Sequence, residues 1–199
     1  MNSAVPVESM RVLLVIRSEA RARVLQHALA AAGHRVVGQI RSTHGVQDEA
    51  ERLQVDLVIV DVASADEATL AHLGRLNEQA PRAIVLFTDD TDSGKIRDAV
   101  RCGVTSYVVD GFAQERIEPI VRVAMARFER DRHMLAERDA ARTKLAERKL
   151  VERAKGILMR KRGLAEDEAY HALRRLAMDR NLRLREVAER VIAMSELLG

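Results

Sequence analysis

The densest chemistry in this 199-residue chain is cationic and lies towards its C-terminal end. Arg153, Lys155, Arg160, Lys161 and Arg162 crowd one stretch, and Arg174, Arg175, Arg180, Arg183 and Arg185 form a second group after it. Guanidinium groups offer planar, fork-like donors that suit phosphates, and they stack on unpaired bases. Tyr170 lies between the two groups, where its ring could stack on a base splayed from a loop; a single Tyr on an amphipathic helix also suits a half-buried core position. For the cations the competing reading is a solvated helix face with Glu and Arg at i,i+4 spacing, and it fits the alternating charges ahead of Arg153. Around Arg160 to Arg162 and Arg180 to Arg185 few acids stand nearby, and ligand contact is expected there.

Charge is divided unevenly along the chain. The whole carries 33 Lys+Arg against 30 Asp+Glu, a net +3, but residues 1–120 hold 13 basic and 17 acidic side chains while residues 121–199 hold 20 and 13. That asymmetry points to an anionic partner at the C-terminal end. One cysteine, Cys102, excludes a disulfide scaffold and a Cys-rich zinc site, and it reads as a small buried thiol in a reducing compartment. The first ten residues lack a basic start followed by an apolar core, and no window nears the roughly 18 consecutive apolar residues of a membrane span. A cytoplasmic chain, neither exported nor inserted, is expected.

Five short Val- and Ile-rich runs are evenly spaced in the first half: Val12 to Ile16, Val36 to Ile40, Leu57 to Val60, Ala83 to Phe87 and Val104 to Val109. Between them lie helical patterns, such as Ala22, Val24, Leu25, Ala28, Leu29 and Ala32, and Gly33, Pro81 and Gly103 punctuate the ends. Strands alternating with helices predict an α/β (βα)5 unit with a parallel sheet covered on both faces. After Pro119 the composition becomes Gly- and Pro-free as far as Lys155, which predicts one long helix of about 50 Å growing from the fifth helix of that unit. Ile117, Val121, Ala124, Phe128, Leu135 and Leu145 fit a heptad seam interrupted by Asp131, Arg138 and Arg142, compatible with a two-chain coiled coil or with packing back on the first domain. The remainder divides at Gly163 and near Asn181 into three short helices: one ending around Arg162, one from about Ala165 to Arg180, and one from Arg185 to Leu198 with Val187, Val191, Met194 and Leu198 on its apolar face. The expected organisation is a flexible tail at 1–10, an α/β domain at 11–120, a helical linker at 121–145 and a small helical bundle at 146–199.

Ligands of a doubly wound sheet bind at the carboxyl ends of its strands, here Arg17, Asp61, Thr88 and Asp110. By residue type alone Asp61 caps the helix after it or pairs with Arg17, and Thr88 and Tyr107 suit ordinary cap and core roles. The segments Asp56-Leu-Val-Ile-Val-Asp61, Ile84-Val-Leu-Phe-Thr88 and Ala99-Val-Arg-Cys-Gly103-Val-Thr-Ser-Tyr107-Val-Val resemble strands three to five of a response-regulator receiver domain. The resemblance implies a flavodoxin-like fold with Asp61 as phosphoacceptor, Thr88 as the hydroxyl that reports phosphorylation and Tyr107 as the aromatic that rearranges. Receivers also carry an acidic pair after strand one that holds Mg²⁺ and a lysine after strand five; the matching places hold Ile16 and Arg17, then Asp110 followed by Gly111. Phosphoryl transfer depends on neutralising charge that develops on the equatorial oxygens, and a hard cation needs carboxylates. The expectation is therefore a pseudo-receiver used for docking, with Asp61 inactive, Arg17 as a partial substitute cation, no metal, no cofactor and no enzymatic activity.

Ala146-Glu-Arg-Lys-Leu-Val-Glu-Arg-Ala-Lys-Gly-Ile-Leu-Met159, Glu168-Ala-Tyr170-His-Ala-Leu-Arg-Arg-Leu-Ala177-Met and Val187-Ala-Glu-Arg-Val-Ile192 resemble the ANTAR RNA-binding domain. The full pattern, including Phe87-Thr-Asp, Val123-Ala-Met-Ala-Arg-Phe128 and Ala193-Met-Ser-Glu-Leu-Leu-Gly199, is similar to the nitrate-responsive, NasT-type antiterminators. This resemblance implies RNA contacts by Arg153, Lys155, Arg160, Lys161, Tyr170, Arg174, Arg175 and Arg180, and binding to paired hairpins in a leader mRNA of nitrate and nitrite assimilation genes. It further implies control by a nitrate-sensing partner protein, with a homodimer through the helical linker as a further expectation. The alternative is a two-component response regulator phosphorylated at Asp61 that dimerises to bind RNA; a pure protein-interaction adaptor is a third. Duplex DNA is disfavoured, because Glu186 to Leu198 is acidic-to-neutral and largely apolar where a recognition helix would be basic and polar.

Overall fold

Five parallel strands, β1 (Arg11–Ile16), β2 (Arg35–Ile40), β3 (Leu57–Asp61), β4 (Ala83–Thr88) and β5 (Ser106–Val109), form one sheet in the order β2-β1-β3-β4-β5. The structure is a computed structural model that describes residues 9–109, 111 and 113–197. Contacts divide the chain into two units, Met1–Arg132 and His133–Gly199. The central strands are buried on both faces, which is why they read as unbroken apolar runs. Along β3, Val58 and Val60 join one core while Leu57 and Ile59 join the other, following the period of two that alternates side chains across a sheet.

Helices α1 (Glu19–Ala31) and the start of α5 (Gln114–Arg162) cover one face; α2 (Val46–Arg52), α3 (Glu67–Gln79) and α4 (Ser93–Arg101) cover the other. Serine and aspartate open three of these helices: Ser18 accepts from the Arg21 amide, Asp66 from Thr69, and Asp92 from Gly94 and Lys95. The (βα)5 expectation therefore holds, with local differences. Val24 is exposed, because α1 buries Ala22, Leu25, Ala28 and Leu29 instead. The fifth strand begins two residues later than the apolar run, since Gly103 makes a left-handed turn just ahead of it. Cys102 is half-buried at the end of α4 rather than fully buried. Of the expected tail only Ser9 and Met10 are described, and Met10 already packs on the core while its carbonyl accepts from the Arg35 amide. Asp110 lies outside the described residues.

The heptad seam is largely consumed inside the first unit. Ile117, Val121 and Ala124 are buried against the sheet with Phe128 packed beside them, so the α/β core runs past residue 120, while Leu135 and Leu145 stay exposed. Pro119 lies inside α5 and does not end it.

In the second unit the last turns of α5 pack with α6 (Glu166–Arg180) and α7 (Leu184–Leu197) around Ala154, Ile157, Leu173, Ala177, Val187, Ala188 and Ile192. Gly163 and Asn181 take left-handed conformations at the two breaks, where a helix end calls for one. The side chain of Glu168 accepts the Ala165 amide to open α6, and Glu186 does the same for Arg183 ahead of α7. The buried face of α7 is Val187, Ala188 and Ile192; Met194, expected there, is 65% exposed, because its register carries it past the seam. Leu198 lies outside the described residues.

Candidate nucleic-acid interface and receiver crevice

The cations of the second unit fall into two classes. Arg160, Lys161 and Arg162 form the last turn of α5, where positive charge also suits the helix dipole. They share a lack of ion pairs with any described residue with Arg174, Arg175 and Arg180 on α6. Lys161, Arg162 and Arg175 line one common groove. Tyr170 stands 38% exposed, its ring edge-on to His171 at 6.1 Å.

Two expected contacts sit differently. Lys155 is only 7% exposed, and its Nζ donates to Glu166 Oε1 at 2.7 Å and to both Glu152 oxygens at 3.0 Å, which raises its pKa. It is a strut from α5 to the first turn of α6, and the two carboxylates already satisfy the charge that a phosphate would seek. Arg153 links α5 to α7 through Glu196 at 2.7 Å, with both side chains exposed. Arg185 is likewise held by Glu189 one turn along α7, at 2.9 Å.

In the first unit Asp61 ends β3, level with Ile16 of β1 and Phe87 of β4. Its side chain is nearly buried, and Oδ1 meets Nη2 of Arg21 at 2.7 Å. Burial raises its pKa, Arg21 opposes that rise, and Asp89 adds to it. Arg17, expected as the partner, is exposed and donates to the Arg41 carbonyl; α3 is capped by Asp66 and not by Asp61. Thr88 donates to the Ala63 carbonyl at 3.0 Å and accepts from the Asp90 amide, while the Tyr107 hydroxyl donates to the Asp90 carbonyl at 3.0 Å. Lys95 of α4 reaches this loop and donates to Asp90 Oδ2 at 2.5 Å and to Ser64 Oγ at 2.9 Å. The Lys95 contact, together with a hydrogen bond from the Ser64 hydroxyl, lowers the Asp90 carboxyl to about 2. A divalent cation does not fit: buried Ile16 faces Asp61 across the register, an arginine holds the carboxylate, and no group of three His, Cys, Asp or Glu among the described residues is arranged around a metal.

Comparison with known proteins decides the family. The ANTAR domain matches residues 139–192. Over all 199 residues the chain is 31% identical to the transcriptional regulatory protein PdtaR of Mycobacterium tuberculosis, covering 94% of that protein. The chain belongs to the ANTAR response-regulator family. A nitrate regulatory protein of Klebsiella oxytoca is 45% identical over 53 residues, 27% of this chain and 13% of that one. The signal receiver domain of a modulated diguanylate cyclase from Desulfovibrio desulfuricans G20 aligns with 62% of this chain and 99% of its own at a TM-score of 0.55 and 19% identity, which establishes the receiver fold of the first unit.

Within this ANTAR regulator, sequence reasoning missed Arg21 and Lys95. Arg21 was legible in part: Ser18 is an N-cap, so Arg21 falls in the first turn of α1, beside the carboxyl end of β1. Lys95 carries no such signal, since a lysine in the first turn of α4 reads as a surface residue. No helix among the described residues is long and apolar enough to cross a membrane.

Proposed function

We propose that this ANTAR regulator is an RNA-binding transcription antiterminator. Its RNA-binding module, 146–199, grips paired hairpins in a leader mRNA and stabilises the antiterminator fold over the terminator stem. A protein that binds one RNA fold raises that fold's share in proportion to differential affinity, so no covalent step, metal or cofactor enters. The observation that carries the reading is the set Arg160, Lys161, Arg162, Arg174, Arg175 and Arg180, which forms no ion pair with a described residue and lies within the ANTAR match, with Tyr170 exposed on α6.

The receiver unit, 11–120, is a docking platform for a sensor protein, and its acidic balance suits that role. Nitrate and nitrite assimilation genes are the proposed targets, supported by the local identity to the Klebsiella oxytoca nitrate regulatory protein. Exposed Leu135 and Leu145 support a homodimer through the linker, 121–145, and the absence of a membrane-spanning helix among the described residues supports a cytoplasmic site of action. The test is fluorescence anisotropy of the full chain with a two-hairpin leader RNA, a shuffled control and duplex DNA at two salt concentrations. Tight, salt-sensitive binding to the hairpins alone is expected; equal affinity for all three overturns the reading.

A further inference from the structure

In the ANTAR module α5, α6 and α7 enclose an open groove of about 920 Å³. Its apolar lining includes Leu158, Leu164, Leu173, Leu176, Val191 and Met194. Leu173 belongs to the core, but Leu176 and Met194 are 40% and 65% exposed, so part of this surface is left uncovered among the described residues. Along the rim stand Lys161, Arg162 and Arg175, none in an ion pair with a described residue. His171, Glu168 and Asp179 also line it, and the Glu168 carboxylate is already taken by the Ala165 amide at the start of α6.

We infer that this groove docks an amphipathic helix of a partner protein, apolar on one face and flanked by Asp and Glu. Three features select that occupant. The lining is aliphatic with no aromatic ring but His171, whereas unpaired bases seek ring faces; Leu and Met surfaces are what amphipathic helices pack against. The volume lies towards the top of the range for ligand sites, about 300–1,000 Å³, and suits a row of side chains at i, i+3, i+4 and i+7 better than one base. Charge selects acidic flanks and disfavours a second copy of the same module, because residues 133–199 carry 16 Lys+Arg against 11 Asp+Glu. Lys161, Arg162 and Arg175 also belong to the proposed RNA set, so the helix and RNA compete. That competition rests on the RNA reading above, whereas the docking stands on the groove alone.

The probe is a synthetic Leu/Ala helix of about five turns with Glu on its flanks, compared with the same peptide carrying Lys there. Each is titrated into the full chain labelled with ¹³C-methyl methionine and followed by anisotropy, with the two-hairpin RNA titrated in parallel. The Glu peptide is expected to bind saturably, to shift the Met194 methyl and to leave Met134 unmoved. The Lys peptide, and the Glu peptide against Arg175→Glu, should bind about tenfold or more weaker. Leu176→Glu should abolish binding, with Met194→Gln as the milder variant and circular dichroism as the check that each is folded. No saturable binding, equal affinity for both peptides, or a still Met194 methyl overturns the docking. Peptide binding without RNA binding leaves docking in place and removes the RNA reading. RNA that shifts Met194 and is lost in Leu176→Glu, with no peptide binding, makes the groove an RNA cleft and overturns the proposal.

Discussion

Salt should sort the cations of the ANTAR module by whether each already has a carboxylate. Neutralising one phosphate of a single-stranded loop contributes about −0.7 to the slope of log affinity against log salt. Between 50 and 200 mM salt, a fourfold change, each contact therefore accounts for about a 2.6-fold loss, and contacts at all six of Arg160, Lys161, Arg162, Arg174, Arg175 and Arg180 for about three-hundred-fold. Arg174→Ala is expected to lower the slope by about 0.7. Arg185→Ala should leave it unchanged, because Arg185 is held by Glu189 at 2.9 Å, and Arg153→Ala should behave likewise through its Glu196 pair. Lys155→Ala differs from all of these: it leaves Glu152 and Glu166 without their shared cation and should lower the thermal midpoint of the module while the folded fraction keeps its slope. The assay is fluorescence anisotropy of each variant with the leader RNA across that salt range. A slope change in Arg185→Ala as large as in Arg174→Ala would refute the sorting, since pairing would then have no bearing on which cations meet phosphate.

Three further outcomes follow from the geometry. Acetyl phosphate with Mg²⁺ should label the wild-type chain no more than Asp61→Ala, because Arg21 holds the carboxylate and buried Ile16 lies level with it on β1; stoichiometric labelling lost in Asp61→Ala would restore the phosphorylated regulator. The Asp90 carboxyl, lowered from its ordinary 3.8 to about 2 by Lys95 and Ser64, contributes stability that is complete above pH 3.8 and lost as pH falls through about 2; Asp90→Asn should flatten that part of the acid-unfolding curve, and an unchanged curve counts against the Lys95 contact. Leu173→Ala empties a fully buried site between α5, α6 and α7 and should cost about 2–5 kcal/mol, lowering the unfolding midpoint of the module by roughly 10 °C or more in differential scanning calorimetry.

What was legible in the sequence follows the strength of local rules. Strands buried on both faces write themselves as apolar runs, and Gly33, Gly103 and Asn181 mark turns that require left-handed backbone, so the sheet and the three-helix module could be read directly. Packing partners were harder. A heptad reading of Ile117, Val121, Ala124 and Phe128 is indistinguishable from a helix laid on a sheet, since both bury one stripe, and only the fold shows that the sheet takes it. The cations show the same limit. Lys155 and Arg160 look equivalent as residue types, yet one is tied to two carboxylates and the other to none, because Glu166 arrives from a different helix. Sequence spacing resolves pairs within a helix, such as Arg185 with Glu189, but not struts such as Arg153 with Glu196.

The Arg21–Asp61 pair also constrains how a receiver of this kind can be controlled. A divalent cation is a dissociable ligand whose occupancy follows concentration, and a phosphoryl group is added and removed. A guanidinium in the first turn of α1 is covalently part of the chain, so the cation that meets Asp61 does not come and go with concentration. The bonds made by Thr88 and Tyr107 strengthen the point, since the Thr88 hydroxyl, expected to report phosphorylation, and the Tyr107 hydroxyl, on the aromatic expected to rearrange, already donate to the Ala63 and Asp90 carbonyls. On the proposed reading, control then needs a ligand with different affinities for two states of the regulator. Driving such an equilibrium from about 1:99 to 99:1 takes roughly a 10⁴-fold difference, about 5.5 kcal/mol. That magnitude is hard to obtain from one small anion at an exposed surface and ordinary for a protein partner that buries apolar side chains. The physical demand for a large differential affinity therefore points to a docked protein, on the receiver unit with its acidic balance, in the groove of the ANTAR module lined by Lys161, Arg162 and Arg175, or on both.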